Sequence, residues 1–170
     1  MNHFPIEIDL DSDLVELLWS MHRSHADDYM QWTNVLPLSG KVFEKPTTTK
    51  DNLNVLLLRE PLPKQLKLLA KKFPVKPTKM ALFYLSPNAV IAPHSDSESY
   101  GRNTAVVFPL TTPFVPTIVY ENGVRHYTNY PNAYAFSTQI KHGVENGDHE
   151  RLALQLWFKE NCDELKNLMV

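Results

Sequence analysis

Between residues 80 and 159 the chain breaks into eight short β-type segments, separated by turn-forming residues at intervals of roughly ten. They cover 80–85, 89–96, 103–111, 116–120, 123–130, 133–136, 141–145 and 151–159. Ser86-Pro87-Asn88, Glu121-Asn122-Gly123 and Tyr130-Pro131-Asn132 punctuate them. Asn122-Gly123 is the strongest hairpin signal, because a type I′ turn needs positive φ at both central positions. Eight short antiparallel strands predict two facing sheets, a mainly β jelly-roll or cupin core with flanking helices.

Ahead of this core, cap-type residues at 9–12 precede Leu14, Leu17, Leu18 and Met21, whose spacing describes one helical face and predicts a helix over 12–29. The stretch 33–52 carries Pro37, Gly40, Pro46 and three consecutive threonines with no period of either kind, and reads as a long loop, a candidate active-site lid. A buried strand is predicted over 53–58 and a short helix over 63–73, with Leu66, Leu68 and Leu69 inward and lysines outward. A last helix is expected over 160–169. The whole chain, 1–170, is read as one domain: 1–79 with helices, lid and supporting strand, 80–160 as the β core, and 161–170 as the C-terminal helix. At 43% hydrophobic content, 170 residues suffice for one packed core without disulfides.

Cys162 is the only cysteine, so no internal disulfide can form, and the first residues lack the basic and apolar blocks of a signal peptide. The expected setting is cytoplasmic. No apolar run approaches the roughly 20 residues that span a bilayer, so no membrane association is expected. The formal charge is −2, and the basic pairs Lys64/Lys67 and Lys71/Lys72 read as the solvated side of a helix, so no nucleic-acid partner is expected.

The chemistry centres on Ala92-Pro93-His94-Ser95-Asp96 and Lys141-His142-Gly143-Val144. On one strand His94 and Asp96, two apart, share a face, and His142 opens the seventh strand, which lies beside the second in a jelly roll. Two imidazoles and one carboxylate on one side of a metal form the facial triad of non-haem Fe(II) oxygenases. Seven histidines make such a match easy to reach by chance, and His126 is the alternative third ligand if the strand alignment shifts. Arg151 heads an otherwise apolar strand. Its planar fork suits a carboxylate ligand, with an ion pair to Asp148 or Glu150 as the structural alternative. Tyr84, Thr104 and Thr111 are candidate hydroxyl supplements to it. Trp32 and Tyr100, with Trp19 and Tyr29, are candidates for enclosing a substrate, although large rings more often serve apolar burial.

The segment Leu85-Ser-Pro-Asn-Ala-Val-Ile-Ala-Pro-His-Ser-Asp96, with Arg102-Asn-Thr-Ala-Val-Val-Phe-Pro-Leu110 and His142-Gly-Val-Glu-Asn146 followed by Arg151, resembles the Fe(II)/2-oxoglutarate-dependent dioxygenases. Within that superfamily it is most similar to the aspartyl/asparaginyl β-hydroxylase group, over residues 80–160. The resemblance implies a double-stranded β-helix in which His94, Asp96 and His142 bind iron and Arg151 grips the distal carboxylate of 2-oxoglutarate. It places Arg102 or Asn103 near the other carboxylate. The implied reaction uses Fe(II), 2-oxoglutarate and O₂, hydroxylates a substrate C–H bond and releases succinate and CO₂. The best-known aspartyl hydroxylases lack the triad carboxylate, so the presence of Asp96 sets this chain in a full-triad branch and leaves the substrate open between a small molecule and a peptide or protein. Two other classes fit the same barrel: a cupin-type metalloenzyme that does not use 2-oxoglutarate, and a non-catalytic binding module.

Overall fold

The computed structural model describes residues 2–31, 53–96 and 102–170. The predicted lid, 33–52, and the substrate candidates Trp32 and Tyr100 lie outside the described residues. The first elements are β1 (His3–Pro5), α1 (Ser12–Ser24), a 3₁₀ turn (Ala26–Asp28), β2 (Met30–Gln31), β3 (Leu53–Leu57) and α2 (Lys64–Ala70). The core strands follow: β4 (Lys79–Leu85), β5 (Val90–His94), β6 (Thr104–Pro109), β7 (Ile118–Glu121), β8 (Val124–Tyr127), β9 (Tyr134–Ser137), β10 (His142–Glu145) and β11 (Arg151–Phe158). Helix α3 (Cys162–Leu168) closes the chain.

The strands form two antiparallel sheets, one ordered β1-β9-β6-β11-β4-β3-β2 and the other β5-β10-β7-β8. The alternation of side chains explains why β4, β6 and β11 are apolar almost throughout. On β11, Leu152, Leu154, Leu156 and Phe158 join the cluster formed with Leu14, Leu18, Leu66, Leu69 and Leu165 of the three helices. Ala153 and Trp157 point the other way, into a second cluster with Val119 and Val144 of the smaller sheet. The large sheet is thus the middle layer of three, and its central strands are buried on both faces. Leu154 is fully buried at the centre of β11. Leu154→Ala is expected to lower stability by about 3 kcal/mol through lost burial and the cavity left behind, read as a lower urea midpoint at unchanged m.

The predicted hairpin forms as expected, with Glu121 opposite Val124 and with Asn122 and Gly123 at φ 51° and 77°. The helix predicted over 12–29 is shorter. Asp11 caps its start by accepting from the Leu14 amide at 3.0 Å, but the helix ends at Ser24. Asp27 and Asp28 would set negative charge against the negative end of the helix dipole. Asp28 instead accepts from His25 Nδ1 at 2.9 Å within the 3₁₀ turn, and Met30–Gln31 become a strand paired with β3. The strand predicted over 89–96 also stops early, at His94. Among the described residues no helix is long and apolar enough to cross a membrane.

Candidate metal centre

His94 ends β5 and His142 begins β10, and the two lie directly opposite one another in the ladder of the smaller sheet. Their rings are 4.5 Å apart, centroid to centroid. From this pair to the next, Val144 opposite Ile91, β10 advances two residues while β5 advances three, so Ala92-Pro93 forms a bulge. The bulge turns the Ala92 carbonyl onto His94, whose Nδ1–H donates to it at 2.7 Å. His142 Nδ1–H donates to Ile140 O at 2.9 Å. Both rings are therefore fixed in the tautomer that leaves the Nε2 lone pair free, the arrangement that orients a ligating histidine. Burial pushes the His142 imidazole down to about 4, against the pull of the Asp96 carboxylate, so the ring is neutral and its lone pair available at physiological pH.

Gly143, between His142 and Val144, faces the bulge at close range: a Cβ there would meet Ile91 O at 2.5 Å. Only glycine fits without a shift of β10 against β5. Gly143→Ala is expected to move His142 relative to His94 and weaken Fe(II) binding about 10- to 100-fold, as loss of a positioning contact does at other metal sites. Competition against a chelator would measure it, with circular dichroism as the check on folding.

Asp96 lies beyond the end of β5, so strand alternation does not aim it. Its amide donates to Thr138 O at 2.8 Å, which fastens the residue to the turn between β9 and β10. Asp96 Oδ1 then stands 3.5 Å from His94 Nε2 and 3.7 Å from His142 Nε2. All three donor atoms fall within 4.8 Å of one another, and among the described residues they are the one such group. Two nitrogens and a hard oxygen, spaced beyond ordinary hydrogen-bond length but aimed at one point, fit a divalent transition metal of the Fe(II) type. His126 is elsewhere, on β8 and 3.9 Å from Glu121.

The three residues open onto a cavity lined also by Phe83, Thr117, Arg151, Gln155 and Trp157. Arg151, Gln155 and Trp157 share the inward face of β11 by the two-residue period. Arg151 is 7% exposed, and its Nε donates to Val115 O at 3.2 Å and its Nη2 to the Tyr134 hydroxyl at 3.2 Å. Tyr134 OH is in turn 2.8 Å from Thr117 Oγ1. Among the described residues no carboxylate lies within ion-pair distance of Arg151. Glu150 accepts from Tyr84 instead, and Asp148 from His149. A buried cation without a counter-charge is costly unless an anion completes the site.

The hydroxyls beside Arg151 are not the expected ones. Tyr84 points to the helix side of the large sheet, Thr104 Oγ1 donates to Glu160 O at 2.7 Å, and Thr111 Oγ1 accepts from the Leu152 amide at 3.1 Å. Tyr134 and Thr117 take that place, with no local sequence signal to mark them. Gln155 did carry one, as the single polar residue among apolar ones in register with Arg151. Arg102 and Asn103 do not line the cavity. The Arg102 carbonyl accepts from Thr138 Oγ1 and, at 2.8 Å, from Gln139 Nε2, while Asn103 Nδ2 donates to Lys159 O at 2.5 Å.

No protein-family model matches the chain, and no curated protein does. Solved structures do match. A Pseudomonas putida prolyl-4-hydroxylase superposes with a TM-score of 0.66 over 92% of this chain and 91% of its own, at 14% identity. A Trichoplax adhaerens prolyl hydroxylase, in complex with a peptide fragment of the hypoxia inducible factor oxygen degradation domain, aligns at 0.65 over 99% and 86%, with 12% identity. The nogalamycin-biosynthesis enzyme SnoN, a non-haem α-ketoglutarate-dependent epimerase, aligns at 0.58 over 91% and 74%, with 11% identity. The fold is the double-stranded β-helix. At such identities the likeness carries the fold alone.

Proposed function

We propose that this chain is an Fe(II)- and 2-oxoglutarate-dependent oxygenase that hydroxylates a C–H bond of a small molecule or of an amino-acid side chain in a peptide or protein. One observation carries the reading: the convergent donors His94 Nε2, Asp96 Oδ1 and His142 Nε2 share their cavity with a buried arginine that, among the described residues, has no carboxylate within ion-pair distance. A metal triad alone fits many cupin-type enzymes. A buried guanidinium beside it, hydrogen-bonded only to neutral oxygens among the described residues, calls for an acidic ligand, and 2-oxoglutarate is a dicarboxylate with one end for the arginine and one for the metal.

Bound Fe(II), with 2-oxoglutarate and O₂, supplies the oxidising power for hydroxylation, with succinate and CO₂ as by-products. The protein's own residues hold and orient. His94, Asp96 and His142 would hold the metal through Nε2, Oδ1 and Nε2, and the carbonyls of Ala92 and Ile140 fix the two rings. Arg151 grips the distal carboxylate, with the Tyr134 hydroxyl presented beside it and Thr117 holding that hydroxyl in place. Phe83, Phe136 and Trp157 supply apolar walls that exclude water. Arg102 and Asn103, which do not line the cavity, serve as anchors beside it: the Arg102 carbonyl is tied to the turn before His142, and the Asn103 amide is committed to Lys159.

The motif likeness to the aspartyl/asparaginyl β-hydroxylase group bears on the metal site. For the substrate, two of the structural neighbours are prolyl hydroxylases and one of these holds a peptide, which supports a peptide as a substrate class. Under anaerobic conditions the protein with Fe(II) and 2-oxoglutarate is expected to gain a weak visible charge-transfer band, and with O₂ to release succinate. Protein that binds neither ligand would overturn the reading.

A further inference from the structure

A second groove lies between α2, the turn that follows β3 and the loop that leads into β4. Arg59, Lys67, Lys71, Lys76 and Lys79 line it, above a floor that includes Leu57, Leu58, Leu62, Phe73 and Val75. Seven of the chain's 17 cations fall within residues 59–79, against one acid, Glu60, although the protein as a whole is slightly acidic. All seven are exposed, and among the described residues none has a carboxylate within ion-pair distance. Glu60, also in the lining, accepts from the Leu62 amide at 3.2 Å and can offset only one of the seven charges.

This arrangement works against the local stability of α2. Lys67 and Lys71, at i and i+4, repel one another, and Lys64 stands in a first turn that contains no acid, at the positive end of the helix dipole. A solvated helix face of ordinary composition would mix both signs. From the concave shape, the apolar floor and the cations on both walls, we propose that this groove docks an acidic, leucine-containing segment of a partner protein. Carboxylates would meet the walls, and apolar side chains would fill the floor. A nucleic acid fits less well: one of the seven cations is an arginine, and the aromatic ring in the lining, Phe73, is buried at 6% exposure instead of being presented for base stacking. A membrane surface would need apolar side chains on a convex rim, whereas here they form the floor.

The proposal is independent of the metal reading, because its test uses neither iron nor 2-oxoglutarate. Fluorescence anisotropy of a fluorescein-labelled peptide of Glu-Glu-Leu repeats, titrated with the full chain, is expected to show saturable binding that weakens with salt. Lys67→Glu/Lys71→Glu on one wall and Lys76→Glu/Lys79→Glu on the other should each weaken it at least ~tenfold. Lys64→Glu/Lys72→Glu, the same change of charge outside the groove, should change it less than ~threefold. Replacing the peptide's leucines by serines should also weaken binding, since the floor then has nothing to bury. Thermal melting confirms that each variant is folded. Absence of saturable binding, equal loss in all three double variants, or tighter binding of poly-uridine RNA or phosphatidylserine vesicles than of the peptide would each overturn the proposal.

Discussion

Asp96→Ala is expected to leave a folded protein that no longer retains Fe(II) and forms no succinate above the metal-free background. Its side chain, 7% exposed, is the one carboxylate of the three donors, and the two imidazoles that remain bind a hard cation poorly without it. Loss of a partner that merely orients a metal ligand typically costs 10- to 100-fold in affinity, so loss of a ligand should cost more than ~100-fold. The fold should survive, because Asp96 is held through its backbone amide on Thr138 O, a bond that alanine keeps. Anaerobic equilibrium dialysis with Fe(II) reads the affinity, and a coupled succinate assay reads turnover. Retention of iron at wild-type affinity would remove Asp96 from the site.

Arg151→Met is expected to raise the KM for 2-oxoglutarate about 100-fold while leaving Fe(II) affinity within a few-fold of wild type, the loss that follows from removing a buried, charge-assisted partner. Methionine fills much of the volume, so the variant should fold. It also removes a buried cation that has no carboxylate partner among the described residues, so without co-substrate it should be no less stable than wild type. Thermal melting separates binding from turnover: 2-oxoglutarate at 100 times its Kd stabilises wild type by about 2.7 kcal/mol and should leave the variant unmoved. Arg151→Lys keeps the charge and loses the planar fork, and should fall between the two. Succinate formation at an unchanged KM would separate Arg151 from the co-substrate and favour another anion in the cavity.

Much of the architecture is legible in the chain because it depends on local chemistry. Asn122-Gly123 gives its hairpin through φ preference alone, and all eight predicted core strands have counterparts in β4–β11. Where boundaries moved, long-range or end effects decided them. Pro93 and the bulge end β5 before Asp96, and the acids at 27 and 28 end α1 at Ser24. The pairing of His3–Pro5 with β9 could not be read either, since three residues carry no period and their strand exists through its partner.

By itself the sequence determined that His94, Asp96, His142 and Arg151 stand on or beside strands of a two-sheet core, because strand content, turn residues and side-chain period are properties of short stretches. Tertiary structure alone decided the rest. The ladder sets His142 opposite His94, a loop hydrogen bond and not strand alternation aims Asp96, and Arg151 is buried against Tyr134 with no carboxylate in ion-pair distance among the described residues. The physical reason is range. Register, close approach and the absence of a counter-charge are relations between segments distant in the chain, and they arise only when both sheets close on one another.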